Sequence, residues 1–142
     1  MKYFLQMAVV NFLLLNGCVG PPDYDDGLIE NIPAVVNESD YFSLSILGDE
    51  FSDKKEWDLL FTPNPTGLLL TTLVTKDINI SSSDSTILYL INDLGDTVFN
   101  AILFNEFIFT SLDSLVAIGN PDKVVFEGNN FSGRLEYQII IN

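Results

Sequence analysis

Cys18 is the only thiol in 142 residues, and the chain has no histidine. A thiol attacks only as its thiolate, and the imidazole that usually produces one is missing. The same absence removes the usual general base and the commonest transition-metal ligand. What remains is oxygen chemistry. Asp49, Glu50, Asp53, Glu56 and Asp58 form the densest carboxylate run, with Asp40 upstream, and hard carboxylate oxygens are what calcium takes. Lys54 and Lys55 stand inside that run, so local ion pairs compete there with a metal. Asp93 and Asp96 bracket Gly95, where the competing role is to cap turn N–H groups. The expected calcium candidates are therefore Asp49, Glu50, Asp53, Asp93 and Asp96. Asp23-Tyr24-Asp25-Asp26-Gly27 opens in the manner of a calcium loop but has no closing glutamate at the needed spacing. The aromatic candidates for stacking on a sugar ring are Trp57 and Tyr41, with Tyr89. Hydrolysis by paired carboxylates needs a cleft, and the sequence carries no signature of one. The expected function is non-enzymatic.

Charge narrows the partners. Twenty acidic residues against six basic ones give a net charge of −14. Such a surface repels phosphates, which excludes nucleic acid and argues against electrostatic attachment to anionic lipid. Met1-Lys2 followed by the apolar run from Tyr3 to Leu15 has the length of a signal-peptide core and is too short to span a bilayer. Residues 1–17 are expected to be a leader, residues 18–26 an extended acidic tether stiffened by Pro21-Pro22, and residues 27–142 one domain. That length buries a sizeable core without disulfides.

The elements that must position the candidates are strands. Phe42, Leu44 and Ile46 alternate with Ser43 and Ser45, and Leu135, Tyr137, Ile139 and Ile141 share one face. Val124 and Phe126 alternate with Val125 and Glu127. Thr86 to Ile91 is apolar on both faces, as expected of a central strand. Leu68 to Val74 reads as a strand, Asp49 to Trp57 as an acidic loop running into a strand Trp57–Phe61, and Val98–Phe104 and Phe107–Phe109 as further strands. Asn92-Asp93-Leu94-Gly95-Asp96 is a hairpin turn, and Asn120-Pro121-Asp122 and Gly128-Asn129-Asn130 are further turns. The expected fold is all-β, an antiparallel two-sheet β-sandwich of jelly-roll or Greek-key type. The run Ile102–Ile118 is rich in apolar residues (Ile102, Leu103, Phe104, Phe107, Ile108, Phe109, Leu112 and Leu115); much of it is expected to be core, and any excess over what the core needs would be an interface.

Leu15-Asn16-Gly17-Cys18 resembles the lipobox of bacterial lipoprotein precursors. The resemblance implies alkylation of Cys18 by a diacylglyceryl group, cleavage between Gly17 and Cys18, and acylation of the new amine by a fatty acid such as palmitate. Val19 stands where an Asp would retain such a protein at the inner membrane, so the resemblance implies the outer membrane. A second resemblance covers residues 27–141. Asp40-Tyr41-Phe42, Gly67-Leu68-Leu69-Leu70, Ile87-Leu88-Tyr89-Leu90 with Asp93 and Gly95, and the closing Lys123–Ile141, in that order, are similar to bacterial pre-peptidase C-terminal domains. It departs at Pro121-Asp122-Lys123-Val124, where the family has Gly-Thr-Tyr-Tyr, and in its apolar 100–115 region. This resemblance implies a non-catalytic sandwich. The expectation is a lipid-anchored binding module for a glycan, calcium or an envelope protein. The alternative is an assembly subunit of a larger envelope complex.

Overall fold

The computed structural model describes residues 27–62, 64–79 and 85–142. The leader, Cys18, the tether with its acidic run at 23–26 and most of the 81–85 polar loop lie outside the described residues. Among the described residues, nine strands and one short helix follow in order: β1 (Ala34–Asn37), β2 (Tyr41–Phe51), β3 (Lys54–Asp58), β4 (Leu68–Lys76), β5 (Thr86–Asn92), β6 (Thr97–Leu103), β7 (Phe107–Ser114), α1 (Leu115–Ile118), β8 (Pro121–Glu127) and β9 (Phe131–Ile141). One sheet has the order β1-β2-β9-β4-β7 and the other β3-β8-β5-β6.

The pairings are nested. β5 pairs with β6, β4 with β7, β3 with β8 and β2 with β9, all antiparallel. This is one long hairpin folded over on itself, the jelly-roll arrangement of two Greek keys. β1 adds a strand outside β2. Alternation decides which side chains face inward. Phe42, Leu44 and Ile46 of β2, Leu88 and Leu90 of β5, and Leu135, Tyr137 and Ile139 of β9 are all buried between the sheets. Removing each such side chain from water contributes roughly 1.5–3 kcal/mol, which is what holds a fold without disulfides together.

Aromatic pairs close both long sides of the sandwich. Phe42 of β2 meets Trp57 of β3 with ring centroids 6.3 Å apart. On the other side Phe99 of β6 meets Phe109 of β7 at 5.2 Å, and Phe99 also stacks on Tyr137 at 5.8 Å. A bulge interrupts β2 between Gly48 and Phe51. Asp49 and Glu50 drop out of the ladder there, and Glu50 takes φ +52°. Gly48 lies opposite Gly133, and a Cβ on Gly48 would overlap the Phe131 ring.

The structure departs from the expected boundaries in several places. The strand expected at Phe107–Phe109 runs on to Ser114, paired along β4, and the acidic loop expected from Asp49 is mostly strand, shared between the end of β2 and β3. The strand expected at Trp57–Phe61 is instead Lys54–Asp58, because β8 pairs with it from Lys54↔Glu127 to Asp58↔Lys123. Pro121, expected in a turn, opens β8 as its first residue, a strand position that does not need its N–H. The stretch after β7 closes into the four-residue α1, whose N–H of Gly119 returns to the carbonyl of Leu115.

Candidate functional site

The outer face of the four-stranded sheet carries a groove of about 310 Å³. Three cross-strand rows build it. Lys54 lies beside Glu127 and Ile87, Glu56 beside Val125 and Tyr89, and Asp58 beside Lys123, Ile91 and Thr97. Alternation turns these residues outward while Trp57, Val124, Phe126, Leu88 and Leu90 face the core. Val125 is buried although it lies outside the core cluster, because the long side chains of its neighbours cover it. Tyr89 and Ile91 beside it are half-buried. The groove therefore has an apolar floor.

Its rim is charged and internally paired. Lys54 Nζ lies 3.0 Å from Glu127 Oε1 and 3.1 Å from Glu56 Oε1. Lys123 Nζ lies 3.5 Å from both Glu56 Oε2 and Asp58 Oδ1. The Tyr89 hydroxyl donates to Glu127 Oε2 at 3.2 Å. Hydrogen bonding to Glu127 and Glu56 raises the ammonium pKa of Lys54. The Lys54 hydrogen bond holds the Glu56 carboxyl below its ordinary range. Attraction to Asp58 and Glu56 raises Lys123. Desolvation, followed by the Glu127 contact, raises Tyr89, so its phenol stays protonated and available as a donor. These side chains are more than a third exposed or close to it, so the pairs orient one another rather than add much stability.

The expected calcium residues do not converge. Asp49, Glu50 and Asp53 lie at the β2–β3 end of the sandwich, whereas Asp93 and Asp96 lie at the opposite end, in the β5–β6 turn. Asp49 acts through its backbone, exchanging two hydrogen bonds with the Asn31 side chain. The Glu50 N–H donates to Ser132 Oγ. The Asp53 carboxylate sits 2.6 Å from Lys55 Nζ and accepts the Lys54 N–H, and its pKa is lowered chiefly by the Lys55 contact. The Asp93 carboxylate accepts from the Asn120 amide at 3.2 Å. Among the described residues no group of three or more acidic side chains is arranged to hold a metal ion. The local ion pairs that Lys54 and Lys55 led us to expect are present.

The two expected aromatic ligand residues are separated. Trp57 packs inward against the core, while Tyr41 alternates with buried Phe42 and so faces out from the other sheet. They cannot form one platform. Tyr89 is the aromatic that faces the groove.

The fold class rests on the strand topology itself. No family model matches the chain, and no curated protein matches it. Among solved structures, the chain is similar to a protein of the Bacillus endospore appendages, a family of disulfide-linked pili, with TM-score 0.42 and 9% identity over 78% of this chain and 88% of that one. A CBM4 structure follows with TM-score 0.34 and 10% identity, covering 78% of each chain. An accessory secretory protein structure from Streptococcus pneumoniae gives TM-score 0.33 and 17% identity over 89% of this chain and 91% of that one.

Sequence reasoning missed Asn92. It is buried, its Oδ1 accepts the N–H groups of Leu94 and Asp96, and its amide donates to the Ile118 carbonyl. It thereby ties the β5–β6 turn to α1. Position one of an Asn-x-x-Gly turn was the available signal. Reasoning also missed Lys54, Lys123 and Glu127 as groove residues. The alternation of Lys54, Glu56 and Asp58 about Lys55 and Trp57 was the trace they left.

Proposed function

We propose that the chain is a lipid-anchored envelope lipoprotein whose β-sandwich is a non-catalytic binding module, with its ligand seated on the outer face of the four-stranded sheet. The observation that carries this reading is the groove itself, an apolar floor of Tyr89, Ile91 and Val125 inside a rim of paired donors and acceptors. A few placed polar groups around an apolar surface are the usual make-up of a small-ligand site, and about 310 Å³ falls at the lower end of the usual range. The similarity to pre-peptidase C-terminal domains fits a module of this kind. The anchor on Cys18 accounts for how so acidic a chain stays at a membrane that its charge repels. Localisation at the outer membrane is part of the same proposal.

The test has two arms. In a bacterial host fed labelled fatty acid, the wild-type chain takes up label and fractionates with outer membranes, and Cys18→Ala does neither. A labelled or membrane-bound Cys18→Ala chain defeats the anchor. Replacing Tyr89 by Ala weakens ligand retention without changing the circular dichroism spectrum. Retention equal to wild type defeats the groove.

A second reading, an assembly subunit of an envelope complex, is favoured by one specific observation. Ile102, Phe104, Ile108, Phe109 and Leu112, all in the apolar run around β6 and β7, are exposed, while Leu103 and Leu115 are buried. Ile108 and Leu112 lie on the outer face of one sheet and Ile102 on that of the other, and large side chains left exposed on edge strands offer apolar surface to a partner. The subunit would co-purify with its partner from detergent extract, and Ile108→Asp with Leu112→Asp would release it.

A further inference from the structure

We infer that the groove on the four-stranded sheet takes the ring of a neutral saccharide. The inference rests on the reading of that groove as the ligand site and adds the chemical class of the ligand. It follows from how the rim charges are spent.

Each ammonium of the rim already faces two carboxylates: Lys54 faces Glu56 and Glu127, and Lys123 faces Glu56 and Asp58. A divalent cation would need those carboxylates free and would meet two ammonium groups within hydrogen-bond reach of them. An anion would need the ammonium groups free, would sit against Glu56 and Glu127, and would approach a chain of net charge −14. An ion of either sign entering the groove would meet rim groups of its own sign held close to their partners, and like-charge juxtaposition disfavours it. A hydroxyl has no such conflict. It donates and accepts at once, so it can insert between an ammonium and a carboxylate and satisfy both.

The floor supplies the second half of the match. A pyranose presents a C–H face and a rim of hydroxyls. The C–H face lies against Tyr89 and Ile91, and the hydroxyls reach the ring of charges around them. The Tyr89 phenol is fixed by its bond to Glu127, so the aromatic ring is held before the ligand arrives. An extended peptide also donates and accepts along its backbone. It would bind at a strand edge, though, because on a sheet face the strand N–H and C=O groups are already used in the ladder.

The test is calorimetric titration of the full chain in detergent with four soluble probes: a neutral β-glucan, a neutral mannan, polygalacturonate and a chitosan oligomer. At least one neutral probe binds, at least tenfold more tightly than either charged one. Tyr89→Ala weakens that binding tenfold or more, which at about 1.4 kcal/mol per decade is the worth of one aromatic contact. Lys123→Met weakens it several-fold and guards against a Tyr89→Ala chain that folds poorly. Ile108→Asp, on the other sheet, leaves it unchanged. A charged probe that binds more tightly than the neutral ones, and loses binding with Tyr89→Ala, overturns the neutral class while leaving the groove as the site. Neutral binding that survives both Tyr89→Ala and Lys123→Met overturns the groove itself. Absence of binding by both neutral probes overturns the inference.

Discussion

The two long sides of the sandwich are finished differently. On one side the edge strands are β1 and β3. β1 is four residues long and follows Pro33, and β3 is five residues long and carries Lys54, Lys55, Glu56 and Asp58. Short edges with charges, lysine above all, resist pairing with other chains. On the other side the edges are β6 and β7, seven and eight residues long, and their outward side chains include Ile102, Ile108 and Leu112. The charge on β7 is Asp113, bonded to Ser111 of the same strand. In a chain with twenty acidic residues, a flank so poor in charge is a departure from the general composition. One flank carries the features that resist pairing with another chain, and the other carries fewer of them.

The same contrast holds inside. Phe42 is fully buried beneath Trp57, whereas Phe109, which covers Phe99 on the other flank, is 36% exposed. Truncating Phe42 to Ala leaves a cavity in a closed core and costs about 3–5 kcal/mol. Truncating Phe109 removes a side chain that still meets water and costs roughly 1 kcal/mol. Chemical denaturation of the two variants measures the gap directly. Equal losses would mean that the β6–β7 flank is closed as firmly as the other.

The next effect is on association. Ile108→Asp with Leu112→Asp puts two charges on exposed positions of β7, so stability changes by no more than about 0.5 kcal/mol while any partner bound along this edge is lost. Size-exclusion profiles of detergent extracts read the outcome. The converse change, Lys54→Thr with Lys55→Thr on β3, removes the charges that guard the other edge and raises self-association. If neither pair alters the profile, the flanks do not differ as docking surfaces.

Much of this was legible in the sequence. The alternation in Phe42–Ile46 and Leu135–Ile141 named inward faces that are buried as expected, and Gly95 takes the positive φ that its turn required. The apolar richness of Ile102–Ile118 was legible too, but which of its residues stay outside the core was not. The groove was not. Lys54, Tyr89 and Glu127 are far apart in sequence and meet only through the β3–β8 and β8–β5 ladders. A one-residue slip in either ladder would turn them to opposite faces, and no single strand encodes that register. Tyr41 and Trp57 were paired as aromatics by type, and the alternation of Tyr41 against Phe42 was the local clue that they face apart.

Tyr137 tests the interior of the β6–β7 flank. Its ring stacks on Phe99, yet its hydroxyl is buried and, among the described residues, is the one buried side-chain polar atom without a hydrogen-bond partner. Burial drives its pKa upward, so the phenol is neutral at every physiological pH. A buried hydroxyl without a partner costs about 1–3 kcal/mol relative to the same group in water. Tyr137→Phe keeps the ring and removes that cost, so it raises stability by about 1 kcal/mol. A destabilised Tyr137→Phe would reveal a partner for the hydroxyl, such as a trapped water.

The smallest effect lies on the charged flank and concerns pH. Glu56 has its pKa lowered by Lys54, and Asp53 has its pKa lowered by Lys55. A lowered folded-state pKa means that the folded chain holds its proton less tightly than the unfolded chain does. The stabilisation is therefore complete above the ordinary carboxylate pKa and is lost as pH falls through the lowered one. Because both carboxylates are exposed, the loss is slight in stability, and it is read best in the site itself. Carboxyl resonances of Glu56 and Asp53 followed by NMR titrate below the ordinary carboxylate range. Lys54→Met moves Glu56 up toward that range, with Lys123 still holding it down in part, and leaves Asp53 low, because Asp53 answers chiefly to Lys55. If both move together, the β3 charges form one coupled array rather than two pairs, and the rim of the groove responds to acid as a unit.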